Sequence, residues 1–261
     1  MEIIVCIKQV PDTTDIKIDP ETNTLQREGV PSIVNPYDMY AIEESVRIKE
    51  KFGGKVTAVS MGPPQSVVVL KEAISLGADE AYLLSDPEFA GADTLATAYT
   101  ISSAIRKIGK YDIIFCGKQA IDGDTAQVGP GIAELLNLPQ VTFVRKIEKI
   151  KDGFVVVERL MEEGYQILRA PLPVLFSVVK EINEPRFPTL RGKLKAKNTE
   201  VRVWDAKLLN IDTNRIGLKG SPTCVVHIFT PQKRKAGKIF KYDASTSVKC
   251  LLSCLKEDGI I

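Results

Sequence analysis

The residues best suited to hold a phosphate fall in one stretch, GKQAIDGDTAQVGPGIAELLNLP, from Gly117 to Pro139. It follows an apolar run, Tyr111-Asp112-Ile113-Ile114-Phe115-Cys116, and leads into the helical spacing of Ile132, Ala133, Leu135 and Leu136. Strand, glycine-containing loop and helix N-terminus together present free N–H groups and the positive end of a helix dipole, both of which attract an anion. Pro130 lacks an N–H and fits only the first helical turn, so the helix is expected to begin near Gln127. Between Gly117, Lys118, Gln119, Ala120 and Ile121 after the strand and Gln127 and Val128 at the helix start, that leaves Asp122, Gly123, Asp124, Thr125 and Ala126 as loop or cap, free to meet a ligand. Asp122 and Asp124 repel an anion, so one of them is expected to point away or to cap the helix. An ordinary strand-to-helix turn fits the same pattern, because a glycine loop without a fixed fingerprint is weak evidence.

Groups able to catalyse alone are scarce. His227 is the single histidine, which argues against zinc and against Ser-His-Asp or Cys-His chemistry unless His227 serves alone. The five cysteines, Cys6, Cys116, Cys224, Cys250 and Cys254, form no CxxC pair. Their odd number without a secretory segment predicts a reducing, cytoplasmic setting. The net charge of +2, from 35 basic and 33 acidic residues, argues against a general nucleic-acid binder. Cations do cluster at Arg191, Lys193, Lys195 and Lys197, and again at Lys233, Arg234, Lys235 and Lys238, as on a solvated face. No run approaches the ~20 apolar residues of a membrane-spanning helix.

The elements that must position the loop alternate through the first half of the chain. Ile3 to Ile7 reads as a central strand, and Asp19 to Gly29 has the turn chemistry of a short hairpin. A helix is expected from Pro36 to Gly53-Gly54, a strand over Lys55 to Ser60, and a turn at Met61-Gly62-Pro63. A helix over Gln65 to Leu76, a strand over Ala81 to Leu84 and a helix over Ala90 to Ile108 follow. This alternation predicts an α/β fold: a Rossmann-like parallel sheet flanked by helices, with ligand bound beyond the carboxyl ends of its strands. If the strands ending at Cys6, Met61 and Gly117 are neighbours, their turns line one crevice. After Pro139, Phe154 to Leu160, Tyr165 to Leu168 and Leu172 to Val179 read as antiparallel additions. Asn183 to Asn198, with two prolines and few core positions, reads as an exposed loop. The expected division is a nucleotide-binding domain over 1–198 and a C-terminal arm over 199–261. The arm is polar, ends in a helix near Thr246 to Lys256, and is too thin for a core of its own.

In VCIKQVPD, VNPYDMYAIEESVRIKE, VTAVSMGP, CGKQAIDGDTAQVGPG, LPVLFSVV and NEPRFPTLRGKLKAK the chain resembles the β (small) subunits of electron-transfer flavoproteins, along essentially its whole length. The resemblance implies pairing with an FAD-carrying α subunit and an arm that wraps that partner. It also implies a pocket that holds AMP in respiratory members and a second FAD in electron-bifurcating ones. In the latter, electrons from NADH divide between ferredoxin or flavodoxin and, through the α-subunit FAD, an acyl-CoA dehydrogenase. The matching pocket positions are Cys6, Asn35, Pro36, Tyr37, Asp38, Met61, Gly62 and Gly117 to Val128. By this match Cys6 and Met61 frame the adenine, and Asn35 and Asp38 offer polar groups to the ribose or the adenine edge. The N–H groups of Asp122 to Val128 and the Thr125 hydroxyl meet the phosphates. Leu190, with Arg191 beside it, matches the position that docks dehydrogenase partners.

AMP-type members tend to carry bulkier or more polar residues where this chain has Gly123, Ala126 and Val128, so GDTAQVGP is similar to the FAD-binding, bifurcating branch. A departure at Leu160-Met161-Glu162-Glu163-Gly164, where the family often has an acid-rich double-glycine turn, leaves any intersubunit contact there open. The alternatives are a structural AMP-binding subunit or, from another class, an ATP-dependent enzyme on a similar sheet. The second lacks a GxxxxGK[ST] loop.

Overall fold

The first strand, β1 (Glu2–Cys6), is apolar on both faces because both are covered. Ile3 and Val5 point into one core layer, Ile4 and Cys6 into the other. In the computed structural model, which describes residues 1–12, 32–226 and 237–261, the chain continues through a short antiparallel pair, β2 (Gln9–Pro11) and β3 (Ser32–Val34). Helix α1 (Pro36–Phe52), β4 (Lys55–Met61), α2 (Val67–Leu76), β5 (Glu80–Leu84), α3 (Thr94–Ile108), β6 (Ile113–Gly117) and α4 (Val128–Leu136) follow. Next come β7 (Gln140–Lys151), β8 (Phe154–Met161), β9 (Gly164–Pro171), β10 (Val174–Val178), α5 (Leu190–Asn198), β11 (Arg202–Trp204), α6 (Ala206–Leu209) and α7 (Ala244–Glu257). The hairpin expected at Asp19 to Gly29 lies outside the described residues.

Among the described residues the main sheet has nine strands in the order β11-β5-β4-β1-β6-β10-β7-β8-β9. β11 through β7 pair in parallel; β7, β8 and β9 are antiparallel. The chain adds β4 and β5 to one side of β1 and then crosses to place β6 on the other. That reversal makes the carboxyl end of β1 a topological switch point. α1, α2 and α5 pack on the face of Ile3 and Val5, and α3, α4 and α6 on the face of Ile4 and Cys6.

Three sequence expectations are corrected. The run Leu172 to Val179 does not add antiparallel to the sheet: β10 lies inside it, parallel to both β6 and β7. All five of its residues are buried, the condition under which a strand carries apolar side chains on both faces. Asn183 to Asn198 is not all loop either, for α5 occupies its second half, with Thr189 Oγ1 accepting the Gly192 N–H at 3.0 Å as an N-cap. The helix expected from Ala90 starts instead at Thr94, where Asp93 caps it by accepting from Leu95 and Ala96. The chain forms two compact units, 1–226 and 227–261. The stretch after Asn198 therefore contributes to the first unit, through β11 on the sheet edge and α6 against α3.

Candidate functional site

β4, β1 and β6 are immediate neighbours, with Cys6 in register with Val59 on one side and Cys116 on the other. Their carboxyl ends, and so the turns after Cys6, Met61 and Gly117, lie side by side at one edge of the sheet, the adjacency on which a shared crevice depends.

The residues expected from α1 sit at the rim, and their side chains are engaged in holding the loop. Asn35 Nδ2 donates to Gln119 O at 2.8 Å, and Asn35 Oδ1 accepts from the Ile121 N–H at 3.1 Å. One amide therefore satisfies both backbone polarities of the 119–121 turn. Asp38 accepts the Lys8 N–H at 2.7 Å and the Gly117 N–H at 3.2 Å, tying the end of β1 to the end of β6. Burial pushes the Asp38 carboxyl up to about 7 against the opposing pull of these N–H donors, of Asn35 and of the Lys8 charge. Pro36 supplies the first helical residue of α1, where a missing N–H costs nothing.

The loop itself is held at its acids. Asp122 takes an ion pair from Lys8 Nζ at 2.6 Å, and Asp124 accepts from the Gln119 side chain. Both carboxylates thus have partners, and neither caps α4: the cap position is Gln127, with no side-chain cap bond. Among the described residues no acceptor meets the N–H groups of Gly123, Thr125, Ala126 or Gln127. Asp124 and Ala126 adopt left-handed φ values of 53° and 55°. For Ala126 this costs about 1–3 kcal/mol, a strain that persists only where surrounding structure imposes it and that clusters at ligand clamps. A Cβ on Gly123 would meet nothing within 4 Å, so open space lies beside that backbone.

One cation has no carboxylate partner here. Lys118 Nζ lies 5.9 Å from the Tyr37 ring centroid and 5.4 Å from that of Phe143, and among the described residues it makes no ion pair. Cys6 and Cys116 are buried side by side, and the thiol of Cys116 is pushed well up by its contact with Cys6 and by burial. Their side chains belong to the core. Met61 and Gly62 close the β4 side, where the Gly62 N–H donates to Leu84 O at 3.0 Å.

The residue pattern did not single out Lys8, Gln9, Ser66 or Thr94. Ser66 Oγ donates to Gln9 Oε1 at 2.7 Å beside the β4 turn, and Thr94 Oγ1 donates to Gln127 Oε1 at 3.2 Å at the start of α4. Lys8 was the findable one: it is the first cation after a buried strand that ends at the switch point. Leu190 and Arg191 lie outside the crevice, exposed at the start of α5. Among the described residues no group of His, Cys, Asp and Glu side chains could hold a metal ion, and no helix is long and apolar enough to cross a membrane.

The chain is similar to known proteins along its length. The sequence profile described as "Electron transfer flavoprotein domain" matches residues 22–209. The chain is 55% identical to the electron transfer flavoprotein subunit beta of Thermoanaerobacterium thermosaccharolyticum, over 100% of both chains. It is 50% identical to the protein FixA of Azotobacter vinelandii, over 90% of this chain and 85% of that one. It is 46% identical to the caffeyl-CoA reductase-Etf complex subunit CarD of Acetobacterium woodii, over 100% of both.

Proposed function

Because the chain belongs to the electron transfer flavoprotein family as a β subunit, we propose that it pairs with an α subunit, binds FAD in the crevice at the ends of β1, β4 and β6, and serves the NADH-linked, electron-bifurcating branch. The observation that carries this reading is the loop 117–128. It combines unpaired N–H groups at Gly123, Thr125, Ala126 and Gln127, open space at Gly123, and the N-terminus of α4. A diphosphate needs more donors and more room than a monophosphate, and this loop offers both. Lys118 adds a cation with no carboxylate of its own, while the Lys8–Asp122 pair removes an acid that would repel the ligand. The likeness to FixA and to a subunit of a caffeyl-CoA reductase-Etf complex supports the bifurcating branch.

In this reading the crevice binds and orients. Backbone around Cys6 and Met61 frames the adenine, Asn35 and Asp38 hold the loop in shape, and the loop grips the diphosphate. Bound FAD supplies the passage between two-electron and one-electron chemistry, with NADH as donor, ferredoxin or flavodoxin as one acceptor, and an acyl-CoA dehydrogenase, reached through the α subunit, as the other. The dehydrogenase docks at Leu190 and Arg191. The second unit, 227–261, is the arm that packs on the α subunit: no residue of α7 is buried, and Val248, Leu251 and Leu252 are exposed at helical spacing. Five free thiols suit a reducing cytoplasm.

The test is a nucleotide count. The α/β complex is purified, its nucleotides are released by acid and separated by chromatography. Two FAD per pair support the reading; one FAD with one AMP overturns it and leaves a structural nucleotide in the crevice.

A further inference from the structure

Helix α1 has a role at each end. Its first turn carries Asp38 of the crevice, and its later turns carry a group of acids that hold the segment before α5. Arg186 is the centre of that group. Its Nε donates to Glu43 Oε2 at 2.8 Å, its backbone N–H donates to the same oxygen at 3.1 Å, and its Nη2 reaches Glu50 Oε2 at 2.9 Å. Glu43 is buried, and although burial pushes its carboxyl up, the guanidiniums of Arg186 and Arg47 outweigh this and hold it below the ordinary value. Around this centre Asn183 Nδ2 donates to Tyr40 O and to Glu44, and Arg47 Nη2 donates to Glu184 O.

The other end of the segment is fixed on α2. A Cβ on Gly192 would lie 2.1 Å from Ser75 O, so α5 meets the end of α2 backbone to backbone. Lys71 Nζ donates to Ala196 O at 2.8 Å, and Lys195 Nζ to Ala78 O at 2.9 Å. Between the two anchors stand Phe187, Leu190 and Leu194, which are 92%, 77% and 56% exposed. Three large apolar side chains on a base this heavily fastened are not scattered surface residues. Arg191, Lys193 and Lys197 share α5 with the two leucines, and α5 carries no acid. The surface therefore fits a protein partner with an apolar socket rimmed by acidic side chains.

We propose that Arg186 is a positioning residue for partner docking, clamping the 183–189 segment onto α1 so that Phe187, Leu190 and Leu194 are presented as one preorganised patch to an acid-rimmed socket on the electron-accepting dehydrogenase. The inference rests on the docking role of Leu190 given above. Preorganisation matters because each loop residue ordered only on binding subtracts from affinity. The twelve-residue step from Asp38 to Glu50 along α1 spans about 18 Å, so the patch is also held at a set distance from the crevice.

The test uses the intact α/β complex and the acyl-CoA dehydrogenase that it reduces, with variants Arg186→Met, Glu50→Gln and Leu190→Ala. Electron transfer is measured against dehydrogenase concentration, and amide exchange is followed over 183–198. For Arg186→Met the expected result is faster exchange over 187–194 and a KM for the dehydrogenase about ten-fold higher, with kcat and nucleotide content unchanged. Glu50→Gln leaves the buried Glu43 pair in place and tests the clamp if Arg186→Met folds poorly; it is expected to raise KM about two- to three-fold. A raised KM in Leu190→Ala with none in the two clamp variants overturns the role of Arg186 and leaves the docking reading standing. No change in Leu190→Ala overturns the docking reading. A fall in kcat or nucleotide content with KM unchanged makes Arg186 a general stabiliser and overturns the proposal.

Discussion

Asp38 Oδ1 accepts the N–H of Gly117 at 3.2 Å, and a Cβ added to Gly117 would lie 2.3 Å from that same oxygen. The glycine is needed for its lack of a side chain and not for an unusual φ, since α1 and β6 approach here at backbone distance. The Tyr37 carbonyl carbon would lie 2.7 Å from the same Cβ and cannot rotate away. Gly117→Ala is therefore expected to cost about 1–3 kcal/mol of stability and to loosen the loop beyond it. Urea unfolding and nucleotide content of the α/β complex check this; an unchanged midpoint with full nucleotide content would contradict it.

The same carboxyl sets a pH dependence. Asp38 is raised from 3.8 to about 7 in the folded chain, so the native state keeps a proton that the unfolded chain releases near pH 4. Its contribution is fully present below the unfolded value and is lost as pH rises through about 7. Acids held below their ordinary values, such as Asp79 and Glu43, act in the opposite sense at lower pH, so a difference between two proteins is the clean measurement. Between pH 5 and 7 the wild type should lose stability relative to Asp38→Asn by up to about 1.4 kcal/mol per pH unit. Asp38→Asn should itself be less stable at pH 5, because its NH2 faces one of the two N–H donors. Parallel stability curves for the two proteins would exclude Asp38 as the titrating group.

Ala126 offers a test of cofactor choice that strain does not confuse. Its φ of 55° is one that asparagine tolerates better than most residues, so Ala126→Asn changes the side chain without adding backbone cost. The larger side chain should obstruct the second phosphate and lower FAD affinity by about one to two powers of ten. The variant complex should lose one of two flavins, keep the α-subunit FAD, and no longer reduce ferredoxin or flavodoxin from NADH. Retention of both flavins would show that the path to the second phosphate does not pass Ala126.

The exposed stripe of α7 predicts where pairing protects the chain. Hydrogen exchange over 244–257 should slow when the α subunit is added, since Val248, Leu251 and Leu252 would leave water. The double variant Leu251→Glu, Leu252→Glu should weaken pairing at least about ten-fold by placing two charges in that contact. Equal exchange with and without the α subunit would remove the arm from the interface.

The elements around the loop were readable in the sequence where backbone chemistry alone decides structure. Ile3 to Cys6, Val56 to Ser60 and Ile113 to Cys116 are strands whose short, largely apolar and mostly β-branched runs suit burial on both faces. Pro36 and Pro130 mark helix starts because a missing N–H is tolerated only in the first turn, and Gly53 marks a helix end because, without a Cβ, it takes a positive φ of 73° there. What those local rules leave open is which strand lies beside which. The adjacency of β4, β1 and β6, and the place of β10 inside the sheet, follow from how the helices share the two faces, a property of the whole fold.

Side-chain duties at the site were decided only by tertiary structure, for the same reason. Asn35 and Gln119 are 84 residues apart, as Asp38 and Gly117 are 79, so no spacing rule joins them. The family match points Asn35 and Asp38 at the ribose or the adenine edge; that their side chains also tie the loop is visible only in the fold. α5 was hidden because its leucines point outward and only Ala196 is buried, which erases the apolar periodicity that marks a helix. Thr189, Gly192, Lys71 and Lys195 hold it instead, by contacts that exist only once α2 is in place. The sequence by itself determined the elements and the chemistry available at their ends; the tertiary fold decided which of those polar groups face one another, because that pairing depends on contacts far apart along the chain.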